Sequence, residues 1–299
     1  MGKLYYHKHT EVFHNGNFVK AAETKIDLFT QSLHYGNAVF DAMRAYNTSL
    51  GPNIFKAKEH YERLISSAQK MGIMLRYSAE ELVNITYQLL ERNNLHDAYI
   101  RPLIYYGSDM QLSMNGEPQL FIAAWKWEKY LGKELMDVMV SSYSRPSPRS
   151  PLVESKVTGY YVHSILATTE ARRKGFDDAI LLDIAGNISE GSGANIFFEK
   201  DGILYTPSRG NIIPGITRAT VLEICQEMGI EVIQKQIRPE DILSMDGAFF
   251  TGTAYQITGI KSINGKPLKL HWQDTIGCIL HERYGRRVMQ SEYYNYAII

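Results

Sequence analysis

The chain has 299 residues, of which 44% are apolar and 21% are charged, a composition typical of a globular protein with one large or two medium domains. Its 32 basic side chains balance its 32 acidic ones, so no excess charge favours nucleic acid or an anionic membrane as a partner. Cys225 and Cys278 form no C-x-x-C motif, which argues against a disulfide framework or a thiolate metal site and suits a cytoplasmic location. We find neither a secretion signal at the start nor an apolar run of membrane-spanning length.

The first part of the chain predicts short strands and two helices. Asn15-Gly16 lies between two β-like runs and predicts a hairpin over residues 12–19. Ser78 to Glu81 is typical of the start of a helix. Apolar spacing predicts helices over 56–74 and 79–92, and strands are predicted over 98–106 and 119–125.

The composition then changes, which predicts a domain boundary. We interpret the polar stretch 129–134 as a linker between a smaller domain, residues 1–128, and a larger domain, residues 135–299. The proline-containing segment 144–151 predicts an irregular loop. The later elements are predicted as a helix near 160–174, a strand at 179–184, a Gly-rich turn at 185–195, strands at 196–199 and 203–205, a helix at 217–228, strands at 230–235 and 247–252, and a last helix after Asp274. Because strands and helices mix without strict βαβ alternation, we predict two α+β domains.

Two segments carry a candidate amine and a candidate acid. Lys156 lies among small and apolar residues, where burial would lower the pKa of the amine and allow it to attack a carbonyl. A solvated loop lysine is the alternative. Glu190 lies in ISEGSGAN at 188–195, whose glycines let the backbone approach a flat ligand and whose acid could pair with a protonated ring nitrogen. An ordinary turn with a solvated glutamate is the alternative there.

Two further segments suit a phosphate group. Residues 211–220 predict a turn that leads into a helix, where backbone N–H groups and the Thr217 hydroxyl could bind phosphate, although Thr217 could equally serve only as a cap. Thr251 to Ala254 end a strand and could present N–H and O–H donors to a phosphate or a carboxylate. A Schiff-base lysine, a ring-nitrogen acid and a phosphate site are together what pyridoxal 5'-phosphate (PLP) requires.

The chain resembles the branched-chain amino acid aminotransferases of PLP fold type IV over about residues 12–265. The motifs that carry the resemblance are LHYG at 33–36, AYIRPL at 98–103, YLG at 130–132, EARR at 170–173, ISEGSG at 188–193, PGITR at 214–218 and TGTA at 251–254. The resemblance implies a smaller N-terminal α/β domain and a larger C-terminal domain with a mixed, barrel-like sheet. It also implies transamination between leucine, isoleucine or valine and 2-oxoglutarate, which gives the branched 2-oxo acid and L-glutamate.

The resemblance assigns cofactor roles to individual residues. Lys156 would hold PLP as a Schiff base and act as the acid/base, Glu190 would pair with the pyridine nitrogen, and Tyr161 would hydrogen-bond the phenolic oxygen. The expected phosphate ligands are Arg63, Ile216, Thr217 and Thr253.

It also assigns substrate roles. Tyr99, with the backbone of Thr253 and Ala254, would hold the α-carboxylate, and Arg101 would reach the distal carboxylate of glutamate or 2-oxoglutarate. The apolar pocket would contain Phe40, Trp127, Tyr130 and, from a second subunit, Tyr35. A pocket shared in this way implies a homodimer or a larger homo-oligomer.

Two segments depart from the family pattern. The motif that usually reads FEGxR is here Phe40-Asp41-Ala42-Met43-Arg44, and the loop 108–114 also differs. We expect both changes to border the substrate and not the cofactor, so they leave the preferred amino acid open.

Other functions remain as alternatives. The same fold and lysine occur in D-amino acid and (R)-amine transaminases and in aminodeoxychorismate lyases. A catalytically silent binding protein would have no chemical need for both the lysine and the ring-nitrogen acid. Metal binding by His7, His9 and His14 is disfavoured because no carboxylate or cysteine group accompanies them.

Overall fold

The computed structural model describes residues 5–126, 135–147, 149 and 153–290. The chain divides into two compact units. The first comprises Met1–Glu128, Ser155–Gly159 and Val288–Ile299, and the second comprises Lys129–Glu154 and Tyr160–Arg287. The linker predicted over 129–134 lies outside the described residues, and the domain boundaries predicted from the sequence stay a prediction.

The first unit is built on a seven-stranded antiparallel sheet. Its strands are β1 (Glu11–His14), β2 (Asn17–Lys20), β3 (Val39–Phe40), β4 (Met43–Thr48), β5 (Gly51–Ile54), β6 (Ala98–Tyr106) and β7 (Pro118–Lys126). Its helices are α1 (Gln31–Tyr35), α2 (Ala57–Lys70) and α3 (Ala79–Arg92). The strand order is β2-β1-β7-β6-β4-β5, and β3 pairs with β6.

Local sequence signals account for two of these elements. Asn15 and Gly16 have φ values of 48° and 93°, the left-handed backbone that a tight hairpin turn needs, and β1 pairs with β2 on either side of them. At the start of α3 the Ser78 side chain accepts a hydrogen bond from the Glu81 N–H, and the Glu81 carboxylate accepts one from the Ser78 N–H. This is a capping box. The predicted hairpin and the predicted helix start are confirmed.

One apolar stripe on α2 and one on α3 are buried. Tyr61 and Leu64 in α2, and Leu82 and Leu89 in α3, are completely buried, with the spacing of three or seven residues that places side chains on one helical face. Burying a leucine side chain contributes about 1.5–3 kcal/mol. Since α2 lies next to α3 and to β3, the residues on this face of α2 are held beside the end of β3.

The second unit is built on a nine-stranded mixed sheet. Its strands are β8 (Leu135–Ser144), β9 (Asp178–Leu182), β10 (Ile188–Gly191), β11 (Asn195–Lys200), β12 (Ile203–Thr206), β13 (Val232–Gln234), β14 (Gly247–Gly252), β15 (Gln256–Ile263) and β16 (Lys266–Pro267). Its helices are α4 (Tyr161–Arg173), α5 (Ile216–Met228) and α6 (Ile276–Val288).

This second sheet is mixed and curls on itself. The strand order is β10-β9-β8-β15-β14-β11-β12-β13, with β16 beside β15, and β8 runs parallel to both β9 and β15. The Gly191 N–H at the end of β10 donates to the Ala194 carbonyl, just before β11, at 2.7 Å. The strand β10, which is first in this order, therefore lies next to β11, which is sixth. The predicted α+β class with a mixed, barrel-like second sheet is confirmed.

The Gly-rich segment predicted as a turn over 185–195 contains the strand β10, which corrects that prediction. The register shifts within this strand, so that Ile188 lies opposite Leu182 but Glu190 lies opposite Leu181. The extra residue forms a β-bulge, which changes the face on which the following side chain lies. Ile188 consequently packs in the apolar core of the sheet. Glu190 lies on the face of Leu181, which packs against α4.

Several elements were not predicted, namely α1, β3, β4, β5, β8, β15 and β16. In β15 the reason is Gly259, which weakens the strand signal. A Cβ at Gly259 would lie only 2.6 Å from the side chains of Leu135 and Trp272. Tertiary packing therefore selects the residue that makes the strand hard to predict.

Candidate active site

Lys156 is held next to the LHYG motif by paired backbone. The Phe40 N–H donates to the Lys156 carbonyl at 3.0 Å, and the Gly159 N–H donates to the Gly36 carbonyl at 2.9 Å. Gly36 has a φ of 67°, and a Cβ on it would lie 2.8 Å from the Gly159 Cα. Only glycine fits such a close approach, and this contact fixes the lysine segment beside β3.

The ring of Phe40 lies close to two cationic side chains. The Lys156 Nζ is 5.1 Å from the ring centroid, and the Arg101 Cζ is 4.7 Å from it. Arg101 also donates through Nη2 to the Tyr99 hydroxyl at 2.9 Å, because alternate residues of β6 project from the same face. Four residues that the resemblance assigns to one site, Lys156, Phe40, Tyr99 and Arg101, are therefore brought together.

Asp41, directly after Phe40, is a completely buried carboxylate. Arg63 donates to it through Nε at 2.9 Å and through Nη2 at 2.8 Å, and the His60 Nδ1 lies 2.8 Å from Oδ1. Burial tends to raise the pKa of Asp41, but the charges and hydrogen bonds of Arg63 and His60 outweigh burial and hold that pKa well below its usual range. Burial lowers the pKa of His60, so the imidazole is neutral at pH 7 and its Nδ1–H donates to the carboxylate.

The expectation that Asp41 borders the substrate and not the cofactor stays a prediction. Its carboxylate faces Arg63, the residue that the resemblance assigns to the PLP phosphate. His60 and Arg63 both reach Asp41 because they are three positions apart on one face of α2, which lies next to β3. The shorter acid can therefore meet both side chains at once.

In the second unit, Glu190 is anchored through both oxygens. Its Oε2 accepts hydrogen bonds from the Asn195 side-chain amide and from the Ile213 N–H, each at 3.0 Å. Its Oε1 lies 3.1 Å from the Arg145 Nη1, and the two charged side chains are only 6% and 4% exposed. A buried charge pair of this kind is retained only where good geometry and added hydrogen bonds offset the loss of hydration.

The N-terminus of α5 lies next to this anchor. The N-cap residue Gly215 supplies no side-chain cap, and the Ala219 N–H is the one that bonds to its carbonyl, at 2.9 Å. The N–H groups of Ile216 and Thr217 therefore have no partner within the helix. A Cβ at Gly215 would lie 2.0 Å from the Asn195 Oδ1, so glycine is required. Backbone donors at the positive end of a helix dipole suit a phosphate.

Buried polar atoms in each unit fit a bound ligand. Thr251 lies directly opposite Asn195 in the sheet, and its buried Oγ1 has no hydrogen-bond partner among the described residues. The buried Nε of Arg101 likewise has none within that part of the chain. Each unit by itself contains groups of the kind that PLP requires. The first unit has the Lys156 amine, and the second has the Glu190 acid and the uncapped start of α5.

A buried aspartate ties two turns of the second unit together. Asp178 accepts hydrogen bonds from the Ser192 hydroxyl and from the Tyr255 hydroxyl, each at 2.6 Å. Burial raises the pKa of Asp178. Tyr255 directly follows Thr253 and Ala254, so this network links the turn after β10 to the turn that carries both predicted ligands.

The remaining predicted site residues have varied positions. Tyr161 is the first residue of α4, and Tyr35, the last residue of α1, is 44% exposed. Trp127 and Tyr130 lie outside the described residues. Sequence reasoning missed three side chains that hold the site residues, namely His60, Arg145 and Asn195. The available signal was chemical, since any acid predicted to be buried requires donors or a cation nearby.

Three further features of the described residues concern metal ligands, membrane spans and thiols. Among the described residues, no group of three or more His, Cys, Asp or Glu side chains is placed to hold a metal ion. No helix of that part is both long and apolar enough to cross a bilayer. Cys225 and Cys278 are free thiols, and burial raises the pKa of Cys225 to about 11, so this thiol stays protonated at neutral pH.

Comparison with known proteins places this architecture among enzymes. The profile of the family "Amino-transferase class IV" matches residues 38–263. A branched-chain-amino-acid aminotransferase of Pseudomonas aeruginosa is 38% identical over 263 residues, which cover 86% of each chain.

Solved structures agree with this. The branched-chain amino acid aminotransferase of Escherichia coli superposes with a TM-score of 0.91 at 33% identity over 97% of this chain and 98% of that one. The branched-chain amino acid aminotransferase of T.th., solved with N-(5'-phosphopyridoxyl)-L-glutamate, gives a TM-score of 0.89 at 34% identity over 94% and 95%. The resemblance drawn from the sequence motifs is confirmed. Since the match spans most of the chain in both sequence and fold, the protein belongs to the class IV aminotransferases.

Proposed function

We propose that the protein transfers the amino group of L-leucine, L-isoleucine or L-valine to 2-oxoglutarate, giving the branched 2-oxo acid and L-glutamate. The observation that carries the proposal is the Phe40 ring with Lys156 and Arg101 on it, at 5.1 and 4.7 Å. An apolar side chain can pack on the ring, while a distal carboxylate can reach the guanidinium. One pocket can then accept both substrates in turn.

Class IV aminotransferases use PLP, and a relative has been solved with a phosphopyridoxyl glutamate. When bound, PLP supplies an electron sink for the charge that develops at the substrate α-carbon. We assign Lys156 Nζ to carry the cofactor and to move the α-proton. Glu190 is assigned to hold a proton at the ring nitrogen, and Tyr161 is assigned to donate to the phenolic oxygen. The proposed phosphate ligands are Arg63, Ile216, Thr217 and Thr253.

The substrate roles follow the same chemistry. The Tyr99 hydroxyl and the backbone of Thr253 and Ala254 are proposed to bind the α-carboxylate, which orients the α-proton for removal. Arg101 is proposed to bind the distal carboxylate of glutamate, and its buried Nε is a donor without a partner among the described residues. Phe40 is proposed to line the apolar part of the pocket together with Trp127, Tyr130 and Tyr35.

A donor panel with 2-oxoglutarate tests the function, and the Arg101→Ala variant tests the proposed dual use of the pocket. We expect the L-forms of leucine, isoleucine and valine to react and the D-forms and (R)-amines not to. In Arg101→Ala, kcat/KM for glutamate, measured with a branched 2-oxo acid as the acceptor, should fall about a hundredfold, and that for leucine less than about tenfold. Only glutamate brings a second carboxylate to a charge-assisted pair.

The matched control for this test is Arg92→Ala, since the Arg92 side chain is 48% exposed and pairs with Glu11. This variant should leave both substrates unaffected. Equal losses for leucine and glutamate in Arg101→Ala would remove the proposed role of Arg101. Preference for D-amino acids in the panel would remove the substrate assignment itself.

We also propose that the protein is a homodimer or larger homo-oligomer and works in the cytoplasm. Support for assembly comes from an exposed apolar surface on the first unit, which we call the 28–112 surface and which consists of Leu28, Phe29, Leu33 and Leu112. Leu28 is 75% exposed and Leu112 is 89% exposed, and large apolar surfaces of this kind mark interaction sites. Tyr35 donates to the Met110 carbonyl at 3.2 Å, so the two segments of this surface are joined.

Light scattering coupled to gel filtration is expected to give about 68 kDa, twice the chain mass of 34.1 kDa. The double variant Leu28→Asp/Leu112→Asp should shift the protein to the monomer, because two charges would have to be buried in the interface. Leu243→Asp is the control, since Leu243 is 64% exposed in the second unit. A wild-type monomer at micromolar concentration would contradict assembly.

A further inference from the structure

Arg145, which lies outside the family motifs, forms a buried charge pair with Glu190. The Arg145 Nη1 lies 3.1 Å from the Glu190 Oε1, and the Arg145 Nη2 donates to the Val153 carbonyl at 2.8 Å. The buried Nε of Arg145 has no hydrogen-bond partner among the described residues. Arg145 is therefore placed inside the protein at the cost of one unsatisfied donor, although an apolar side chain would avoid that cost.

The histidine next to this pair adds no charge. The His163 Nε2 lies 3.4 Å from the Arg145 Nη1, and burial together with Arg145 lowers the pKa of His163 to about 4. His163 is therefore neutral at pH 7, and its Nε2 accepts from the Arg145 guanidinium, which can only donate. The positive charge beside Glu190 at this contact comes from Arg145.

The other oxygen of Glu190 is held by the segment that leads into α5. The Asn195 side-chain amide donates both to the Glu190 Oε2 and to the Ile213 carbonyl, and the Ile213 N–H donates to the same Oε2, all at 3.0 Å. The Asn195 Oδ1 in turn packs where a Cβ of Gly215 would lie. The carboxylate is thus clamped between a cation on one side and the start of the proposed phosphate site on the other.

We propose that Arg145 is a positioning residue for transamination, which keeps Glu190 ionised and oriented so that it holds a proton on the ring nitrogen of PLP. Asn195 and the Ile213 N–H complete the clamp. The inference rests on the proposed function, because it needs Glu190 to face that nitrogen. Arg218 also interacts with Glu190 through its charge, but Arg145 makes the 3.1 Å ion pair. Without Arg145, the buried carboxylate would lose this ion pair and would tend to take up a proton itself. A protonated Glu190 no longer supplies the negative charge that keeps a proton on the ring nitrogen, so the electron sink would weaken.

A purely structural role for Arg145 is the competing explanation. In that case the bond from Arg145 to the Val153 carbonyl only holds these two residues together. The two roles differ in what they predict for the cofactor, since a structural strap changes stability without changing the protonation of the ring.

The test uses the holoenzyme loaded with ¹⁵N-labelled PLP, because the ¹⁵N chemical shift reports whether the ring nitrogen carries a proton. In Arg145→Gln we expect this shift to move towards that of the unprotonated ring and kcat to fall about a hundredfold, with loss of one partner of a buried charge pair as the cause. Arg145→Lys, which restores the charge, should recover most of the ¹⁵N shift. Titration of the apoenzyme with PLP, followed by fluorescence, should show weaker binding in Arg145→Gln.

Asn195→Ala serves as a second variant should Arg145→Gln not fold. This variant removes one hydrogen bond from the other oxygen, so the ¹⁵N shift should move in the same direction by a smaller amount. Arg287→Gln is the control, because Arg287 is an ion-paired arginine of the same unit that contacts Glu227 instead. It should leave the ¹⁵N shift unchanged.

A wild-type ¹⁵N shift in Arg145→Gln, with only a lower melting temperature, would overturn the positioning role and leave the proposed function intact. An unchanged shift in Glu190→Gln would overturn the assignment of Glu190 and, with it, this inference. Failure of the wild-type chain to bind PLP would overturn the proposed function as a whole. These three results are distinguishable, because each is read from a different protein: Arg145→Gln, Glu190→Gln and the wild-type chain.

Discussion

Replacing Lys156 with alanine is expected to abolish transamination, with a loss in kcat of about ten thousandfold or more, while the fold is retained. The loss follows because one side chain is proposed both to carry the cofactor and to move the α-proton. The fold should survive because two backbone hydrogen bonds of this residue hold its segment in place. Its carbonyl accepts from the Phe40 N–H at 3.0 Å, and its N–H donates to the Ser67 Oγ at 3.4 Å. Alanine keeps both bonds.

Steady-state turnover of leucine with 2-oxoglutarate, together with circular dichroism, measures both parts of this prediction. Borohydride reduction of the wild-type holoenzyme, followed by peptide mass spectrometry, should place the trapped cofactor on Lys156. Lys261→Ala is the control, since the Lys261 side chain is 63% exposed. Near wild-type turnover in Lys156→Ala, or trapping on another lysine, would defeat the assignment.

The second large effect is on stability, and it concerns Asp41. In Asp41→Asn the apoenzyme is expected to lose about 3 kcal/mol of unfolding free energy, because the variant leaves the Arg63 guanidinium without its buried countercharge. Since the pKa of Asp41 is lower in the folded protein than its ordinary value of 3.8, ionisation of this group stabilises the fold above that pH. The stabilisation is lost as the pH falls further. Urea unfolding at pH 7 and at pH 3.5 should therefore show a smaller difference between wild type and variant at the lower pH.

Two further variants separate this charge effect from a general loss of packing. Asp97→Asn breaks an ion pair with Arg44 in which the aspartate is 45% exposed, so it should cost less than about 1 kcal/mol. Adding Arg63→Met to Asp41→Asn should recover part of the loss, because the uncompensated charge is then gone. A double variant less stable than Asp41→Asn would show that the pair is not the cause.

Asp41 illustrates what the motif alone leaves undetermined. The departure from FEGxR is visible in the sequence, and it suggests a change near the substrate. Which side chains the acid meets depends on α2 lying next to β3, a long-range contact that no local pattern encodes. The helix itself was predictable, because its apolar spacing is a property of neighbouring residues.

The sequence by itself determined many of the local elements and the family of this protein. Hydrophobic spacing, the Asn15-Gly16 turn and the Ser78 cap act over a few residues, and the ordered motifs identified the family and its cofactor. Only the tertiary structure decided which way the acid of the ISEGSG motif points and which cation pairs with it. A β-bulge turns Glu190 away from the core that holds Ile188, and Arg145, distant in sequence, supplies its countercharge. Both depend on strand register and on burial, which arise only when distant segments pack and lose their contact with water.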